Sequence, residues 1–306
     1  MIHMIRIERA VLVLLLLLST VLADDLHELV AALPLQMDAP INWSDIQTAQ
    51  VGDVSIAYKS FGQGPPIILI TGYRVTMDTW DPILLYKLSE QYRVIVMDNR
   101  GMGFSCNPGG NLTIEMMAED VAGLMDVLGI SSAHILGWSM GGFVAQELAL
   151  SHPEKVDKLI LYGTGCSGGS DIPPDVWPVL TDTNSSSEGR SSFLIPLLLP
   201  LNWTDTHPDI FSRLPIPITT PTEDMMEAQA FAMESWGGSC ERLDHLMDPT
   251  LVITGMEDGI IPPEHSLELV EEIPDSWLVR ISLGGHYLMY QFPEKMAGVV
   301  EVFLEG

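Results

Sequence analysis

The stretch Ala133-His-Ile-Leu-Gly-Trp-Ser-Met-Gly-Gly142 decides the fold of this chain. Its first part, Ala133–Leu136, is a short apolar run that predicts a buried strand, and the residues from Gly142 to Leu150 are typical of a helix. Gly-x-Ser-x-Gly lies between the two. We therefore expect Ser139 at the tip of a sharp strand-to-helix turn, where a strained backbone and small neighbours leave its hydroxyl accessible.

A glycine-rich turn without a chemical role is the alternative, because Gly-x-Ser-x-Gly also arises by chance. The predicted strand before the motif and the predicted helix after it are the context that a nucleophilic serine requires. The start of that helix would also direct free N–H groups toward a developing negative charge. This context favours Ser139 as a nucleophile.

Asp258 and His286 are the candidates to activate Ser139, since a serine hydroxyl needs a base that is itself oriented by a third group. Asp258 follows the predicted strand Thr250–Thr254, and it is preferred over Glu257 because a glycine comes directly after it. His286 follows two glycines beyond the next predicted strand. The order serine, acid, histidine differs from that of the two unrelated serine-protease folds. Other histidines are predicted to be structural: His134, His152, His245 and His265.

Backbone N–H groups are expected to stabilise the negative oxygen of a tetrahedral intermediate. Met140 follows the serine and supplies one N–H, and Tyr73 supplies the second from the loop after the predicted strand Ile67–Ile70. Gly72 lets that loop turn closely. The side chains of Trp138 and Tyr73 would then flank a substrate pocket, with ordinary aromatic packing as the alternative.

Predicted strands and helices alternate along most of the chain, which indicates a mostly parallel sheet covered by helices on both faces. The alternation is lost after the sixth predicted strand, Val156–Tyr162. We predict a core domain from residues 24–164 and 237–306, with a helical cap inserted at 165–236. Because parallel sheets bind ligands at their carboxyl ends, this insertion should lie over the site, and its apolar residues suggest a hydrophobic acyl or alcohol pocket. A cap that packs on the core without a role in selectivity is the alternative.

Composition and charge exclude several classes of function. The 306 residues include 14 basic and 41 acidic side chains, for a formal charge of -27. Such a surface repels nucleic acid and anionic membranes. The three cysteines, Cys106, Cys166 and Cys240, show no metal-binding spacing, and we expect neither a metal nor an organic cofactor. Cys166 and Cys240 are a candidate disulfide.

The N-terminus resembles a secretory signal peptide. Arg6 and Arg9 precede an apolar run, and Ala23 offers a cleavage site, so residues 1–23 are predicted to be removed and the protein exported without stable membrane insertion. An uncleaved anchor is the alternative, although the apolar run is shorter than the ~20 residues that a span needs. For an exported chain, four sequons would be possible glycosylation sites: Asn42, Asn111, Asn184 and Asn202.

From about residue 51 onward the chain resembles α/β-hydrolase-fold serine hydrolases, in the group of 3-oxoadipate enol-lactonase-like esterases and cofactor-free haloperoxidases. Five motifs carry the resemblance in the same order: Gly64-Pro-Pro-Ile-Ile-Leu-Ile-Thr-Gly72, Asp98-Asn-Arg-Gly-Met-Gly-Phe-Ser105, Gly137-Trp-Ser-Met-Gly-Gly142, Pro249-Thr-Leu-Val-Ile-Thr-Gly255 with Asp258, and Gly285-His286. The resemblance implies the α/β-hydrolase fold, a catalytic triad and no cofactor. It indicates little about the substrate.

One departure from the family pattern lies beside the predicted oxyanion donor. Many members have His-Gly where this chain has Thr71-Gly72, followed by Tyr73-Arg74. The backbone donor survives this change. The Arg74 side chain would either meet a substrate carboxylate or form an ion pair with Asp78 or Asp81.

These observations predict an exported serine hydrolase that cleaves carboxylic esters or lactones through an acyl-enzyme, on a small substrate with an apolar acyl group. Haloperoxidase or perhydrolase activity, or hydrolysis of a C–C bond beside a ketone, would use the same triad. A non-catalytic binding module on the same fold is the alternative from another class. The sequence does not indicate the oligomeric state.

Overall fold

One sheet forms the centre of the computed structural model, which describes residues 41–106, 109–183 and 187–306. The predicted signal peptide at 1–23 and the sequon asparagine at 184 lie outside these ranges. Within them, no helix combines the length and apolar character needed to cross a bilayer. The strands are β1 (Gln47–Val51), β2 (Val54–Phe61), β3 (Pro66–Ile70), β4 (Arg93–Met97), β5 (Ala133–Trp138), β6 (Val156–Tyr162), β7 (Thr250–Gly255) and β8 (Trp277–Ile281).

The strand order is β1-β2-β4-β3-β5-β6-β7-β8. β1 and β2 form the hairpin that the alternating residues around Gly52-Asp53 predict, and β2 joins β4 in an antiparallel pair. Every other pairing is parallel. The carboxyl ends of β3, β5, β6, β7 and β8 therefore meet at one edge, where parallel sheets of this kind bind their ligands.

Helices cover the sheet and connect its parallel strands. Thr113 caps one of them by accepting a hydrogen bond from the Met116 N–H, and Gly129 ends the same helix at φ 67°, a left-handed conformation that glycine adopts without strain. The helices are α1 (Pro82–Ser89), α2 (Ile114–Leu128), α3 (Met140–Ser151), α4 (Trp177–Thr181), α5 (Ser187–Leu198), α6 (Leu201–Thr204), α7 (Ile210–Arg213), α8 (Glu223–Ser235), α9 (Pro263–Glu272), α10 (Leu288–Gln291) and α11 (Pro293–Glu305).

The core lies on both faces of the sheet. Alternate residues of β3 point in opposite directions, so that Ile68 and Ile70 join a cluster that includes residues of α2 and α3. Ile67 and Leu69 join the opposite cluster, which includes residues of α1 and α11. A strand buried on both faces reads as a continuous apolar run, which is the pattern that these residues show in the sequence. The predicted α/β architecture is confirmed.

Between β6 and β7 the described residues form the helices α4 to α8, which lie within the insertion predicted at 165–236. The candidate disulfide between Cys166 and Cys240 is present; it joins a residue near the start of this segment to one just beyond its end, while Cys106 is a free thiol. The residues Glu223–Ser235 form α8, the longest helix of this segment. The sequence did not predict the shorter helices α4, α6 and α7, because four or five residues are too few to show a helical period.

Candidate active site

Ser139 occupies the strained turn that the sequence predicts between β5 and α3. Its φ is 56° and its ψ is −121°, a combination that a residue with a side chain rarely adopts. The backbone on either side is crowded. A Cβ on Gly137 would lie 2.3 Å from the Gly141 carbonyl oxygen, and one on Gly141 would lie 2.2 Å from the carbonyl oxygen of Ile70. The two glycines of the motif are therefore required by steric contacts.

Asp258 lies in the loop after β7 and has a buried side chain. One carboxylate oxygen, Oδ1, accepts hydrogen bonds from the N–H groups of Ile260 and Ile261, each at 2.9 Å. The other oxygen, Oδ2, lies 2.8 Å from His286 Nδ1. Because a carboxylate only accepts hydrogen bonds, this contact makes Nδ1 the donor and fixes the orientation of the imidazole ring.

His286 is held in the loop after β8 by contacts to its backbone and ring. Its carbonyl oxygen accepts a 2.6 Å hydrogen bond from the Tyr162 hydroxyl, which in turn accepts the N–H of Met289. Burial raises the pKa of the Tyr162 phenol, so it is a donor at neutral pH. A Cβ on Gly163 would come within 3.3 Å of His286 Nδ1 and 3.4 Å of Asp258 Oδ2, so this glycine permits their close packing.

The loop after β3 packs directly against Ser139. A Cβ on Gly72 would lie 3.1 Å from the Ser139 Cβ, which brings the backbone of the following residue, Tyr73, to the same side of the site. Burial raises the pKa of the Tyr73 phenol. Met140 is the first residue of α3, and the N–H groups of the first helical turn have no partner within the helix.

A cavity of about 230 Å³ brings these residues together. Its walls include Ser139, His286, Tyr73 and Trp138 from the sheet side, and with Arg74 the structure places five of the predicted site residues in one space. Asp258 lies behind His286. The remaining lining residues are Gly72, Val75, Leu180, Arg190, Leu194, Leu198, Ile260 and Tyr287.

Arg74 contacts the helical insertion. Its guanidinium Nη1 donates to the carbonyl oxygens of Leu180 at 3.0 Å and Asp182 at 3.3 Å. The expected alternative partners are engaged elsewhere, since Asp81 caps α1 and the Asp78 carboxylate accepts the N–H of Ile218. Burial lowers the pKa of Arg74, the direction expected when a cation loses water.

Arg190 is a second cation at the cavity, and the sequence did not single it out. Its Nη1 donates to the Asp182 carbonyl oxygen at 2.8 Å. Among the described residues, no carboxylate lies within salt-bridge distance of Arg74 or Arg190, and no acidic side chain lines the cavity. The electrostatic influence of Asp182 reaches Arg74, and that of Glu227 reaches Tyr73. No motif marks Arg190, which lies in a serine-rich stretch.

One group of side chains in the described part of the chain has the composition of a cation site. Asp171, His265 and Glu268 each place a possible ligand atom within 4.8 Å of the others. His265 Nδ1 lies 3.0 Å from Glu268 and 3.4 Å from Asp171, so contacts of the two carboxylates with one imidazole nitrogen account for the arrangement. None of the three lines the cavity at Ser139.

Comparisons with known proteins place this geometry in context. A family model described as alpha/beta hydrolase fold matches residues 65–293. The putative carbamate hydrolase RutD of Caulobacter sp. (strain K31) is 28% identical, over 84% of this chain and 98% of that protein. The pimeloyl-[acyl-carrier protein] methyl ester esterase of Aeromonas hydrophila is also 28% identical, over 82% of this chain and 100% of that protein.

Solved structures include a similar fold with a named activity. The structure of a thermophilic esterase from Thermogutta terrifontis, with malate bound, superposes with a TM-score of 0.74 and is 28% identical. The match covers 86% of this chain and 98% of that one.

Proposed function

Because the chain belongs to the alpha/beta hydrolase fold family and is a hydrolase, we propose that it cleaves carboxylic esters or lactones with Ser139, His286 and Asp258 as its catalytic triad. One observation carries the proposal: the buried Asp258 carboxylate orients His286, and His286 shares a cavity with a serine held at φ 56°. Folding alone does not require this combination of strain, buried charge and shared space.

The mechanism follows from the orientation of the imidazole. Since Nδ1 donates to Asp258, His286 Nε2 is the nitrogen that takes the proton as Ser139 Oγ attacks the acyl carbon. The tetrahedral intermediate collapses, the C–O bond to the leaving group breaks, and Nε2 returns the proton to the departing oxygen. Water then attacks the acyl-enzyme by the same proton transfers and releases the acid.

The N–H groups of Tyr73 and Met140 are proposed to hold the negative oxygen of both intermediates. The contact between Gly72 and Ser139 supports this role, because it brings the loop that carries Tyr73 against the serine. Met140 supports it from the other side as the first residue of α3. A preorganised pair of donors stabilises the charge that develops in the transition state more than it stabilises the substrate.

The walls of the cavity favour a small ester or lactone with an apolar part and a negative charge. Leu180, Leu194 and Leu198 supply the apolar surface that the sequence predicts for the insertion. Arg74 and Arg190 add positive charge to an otherwise strongly acidic protein. A guanidinium can bind a carboxylate through paired hydrogen bonds. We therefore propose an acyl or alcohol group that carries a carboxylate.

Export is a separate proposal, and two features support it. Arg6 and Arg9 precede an apolar run with a small residue at its end, the composition of a signal peptide. The disulfide between Cys166 and Cys240 fits an oxidising compartment, where such bonds persist. Edman sequencing of protein recovered outside the cell should begin near Asp24; a chain that retains residues 1–23 would contradict cleavage.

Fluorophosphonate labelling tests the catalytic proposal directly. We expect the probe to modify Ser139 and the enzyme to hydrolyse nitrophenyl esters, with Ser139→Ala lowering kcat by about 10⁴-fold or more. Ser235→Ala, an exposed serine on α8, is the matched control and should retain both properties. Full ester hydrolysis by Ser139→Ala would refute the triad. A folded wild type that is neither labelled nor active would favour a binding module.

A further inference from the structure

Hydrogen bonds connect the helical insertion to the loops that carry three proposed site residues. The donors are the backbone N–H groups of the three residues that directly follow Tyr73, Asp258 and His286. The N–H of Gly259 donates to the Leu197 carbonyl at 3.1 Å, and the N–H of Tyr287 donates to the Leu198 carbonyl at 2.9 Å. Both acceptors lie at the end of α5.

The third bond ends on a side chain. The N–H of Arg74 donates to Gln229 Oε1 at 3.0 Å, and Gln229 is a completely buried residue of α8. Arg74 has a φ of 65°, in the left-handed region that favours glycine, so its backbone needs outside contacts to stay in place. The Arg74 guanidinium adds its bonds to the carbonyls at the end of α4.

We propose that Gln229 is a positioning residue that couples the docked insertion to the oxyanion donor at Tyr73. The inference rests on the proposed function, since it gives the Tyr73 N–H a role in catalysis. A shift of the Arg74 amide rotates the peptide before it and moves the Tyr73 N–H away from the oxyanion. In this structure the insertion is thus part of the catalytic framework as well as a wall of the pocket.

Among the described residues, contacts within the sheet do not replace the hydrogen bond that Gln229 Oε1 accepts from the Arg74 N–H. Among the hydrogen bonds of the described residues, the Arg74 N–H has Gln229 as its acceptor, and both guanidinium acceptors also belong to the insertion. The Asp258 and His286 loops are held additionally by Ile260, Ile261 and Tyr162. Loss of the Gln229 acceptor should therefore affect the oxyanion donor more than it affects the acid and base.

Two substitutions separate the acceptor from the shape of the side chain. Gln229→Leu removes the acceptor, and Gln229→Glu retains an oxygen in its place. Replacing the amide by a carboxylate breaks no hydrogen bond donated by Gln229, because its Nε2 has no partner in the described part of the chain. Gln229→Asn keeps an amide but is too short to reach.

Steady-state kinetics on a nitrophenyl ester measure the effect. Removal of one oxyanion donor typically lowers kcat by about 10²–10³-fold, so a displaced donor should cost about 10- to 100-fold in Gln229→Leu and Gln229→Asn. KM should change little, and Gln229→Glu should recover most of kcat. The affinity for an aryl trifluoromethyl ketone, whose adduct with Ser139 carries an oxyanion, should fall in proportion to kcat/KM.

Controls distinguish this proposal from the catalytic one. Ser235→Ala lies on the same helix away from Arg74 and should behave as wild type, and circular dichroism should show every variant folded. Wild-type kcat in Gln229→Leu, or a Gln229→Glu variant as slow as Gln229→Leu, would overturn the positioning role. If Ser139→Ala remained active, the proposed function would fail first. If Gln229→Leu did not fold, Gln229→Asn would provide the same comparison.

Discussion

The two walls of the cavity are built by different kinds of contact. The sheet-side wall consists of strand ends whose backbones touch, so that a Cβ on Gly141 would lie 2.2 Å from the carbonyl oxygen of Ile70. The insertion-side wall consists of helices from a segment that the disulfide closes into a loop. Its contacts to the site include individual hydrogen bonds. Under the proposed function, the first wall carries the reacting groups, and the second is suited to select the molecule that reaches them.

The largest effect should follow from a side chain added to the sheet-side wall. Gly141→Ala forces backbone atoms apart, because the new Cβ would lie 2.2 Å from the Ile70 carbonyl oxygen, which belongs to the central strand β3 and cannot move freely. We expect a loss of about 4 kcal/mol or more in the free energy of unfolding, measured by urea denaturation, and the loss of Ser139 labelling.

Two other glycines provide controls of the opposite kind. A Cβ on Gly237, just beyond the insertion, or on Gly298, within α11, would meet nothing within 4 Å. Gly298→Ala should gain about 0.5–1 kcal/mol from helix propensity, and Gly237→Ala should lie within about 0.5 kcal/mol of wild type. A Gly141→Ala variant as stable as these two would mean that the turn adapts more easily than its close contacts indicate.

The same difference explains what the sequence could predict. The elbow at Ser139, the strands and the order of Asp258 and His286 depend on local residue types, such as apolar runs and glycines, which the sequence displays directly. The pairing of Asp258 with His286 follows because parallel strands end at one edge of the sheet. For this wall, residue type and topology together were sufficient.

The short helices of the insertion offered no comparable signal. Helices of four or five residues depend on tertiary contacts, which a local pattern does not reveal. The carbonyl oxygens that hold Arg74 are backbone groups, so their identity is independent of the side chains at 180 and 182. Gln229 and Arg190 became candidates only when the fold placed them beside residues about 155 and 50 positions away along the chain, respectively.

Removal of the disulfide should weaken the insertion-side wall. The bond closes a loop with a sequence separation of 74, and cross-links of that kind typically stabilise a protein by about 2–4 kcal/mol. We expect the double variant Cys166→Ala/Cys240→Ala to lose stability in that range in urea titrations, with the sheet intact by circular dichroism at low urea. Cys106→Ser, which changes the exposed free thiol, is the control.

Labelling of Ser139 by the fluorophosphonate during the same titration would sharpen the comparison. Because the insertion holds the loops of the site, the double variant should lose labelling at a urea concentration below that at which the circular dichroism of the sheet is lost. Coincident loss of the two signals would show that both walls unfold as one cooperative unit.

The smallest expected effect concerns substrate choice. Arg190 lines the cavity from α5, and a hydrogen bond to a charged group contributes about 1.5–3 kcal/mol. Arg190→Gln should therefore lower kcat/KM for an ester that carries a free carboxylate by about 10- to 100-fold, while an uncharged ester of the same size should change little. Arg213→Gln, a half-exposed arginine on α7 that pairs with Asp209, is the matched control.

The contrast between the two esters decides the interpretation of this experiment. An equal loss on both would mean that Arg190 acts through its bond to the Asp182 carbonyl, as a support of the wall. A selective loss on the charged ester would mean that it binds the carboxylate. Because the sheet-side wall is unchanged in this variant, the fluorophosphonate should label Ser139 at the wild-type rate. That result would mean that the insertion-side wall sets substrate specificity while the sheet-side wall carries the reacting groups.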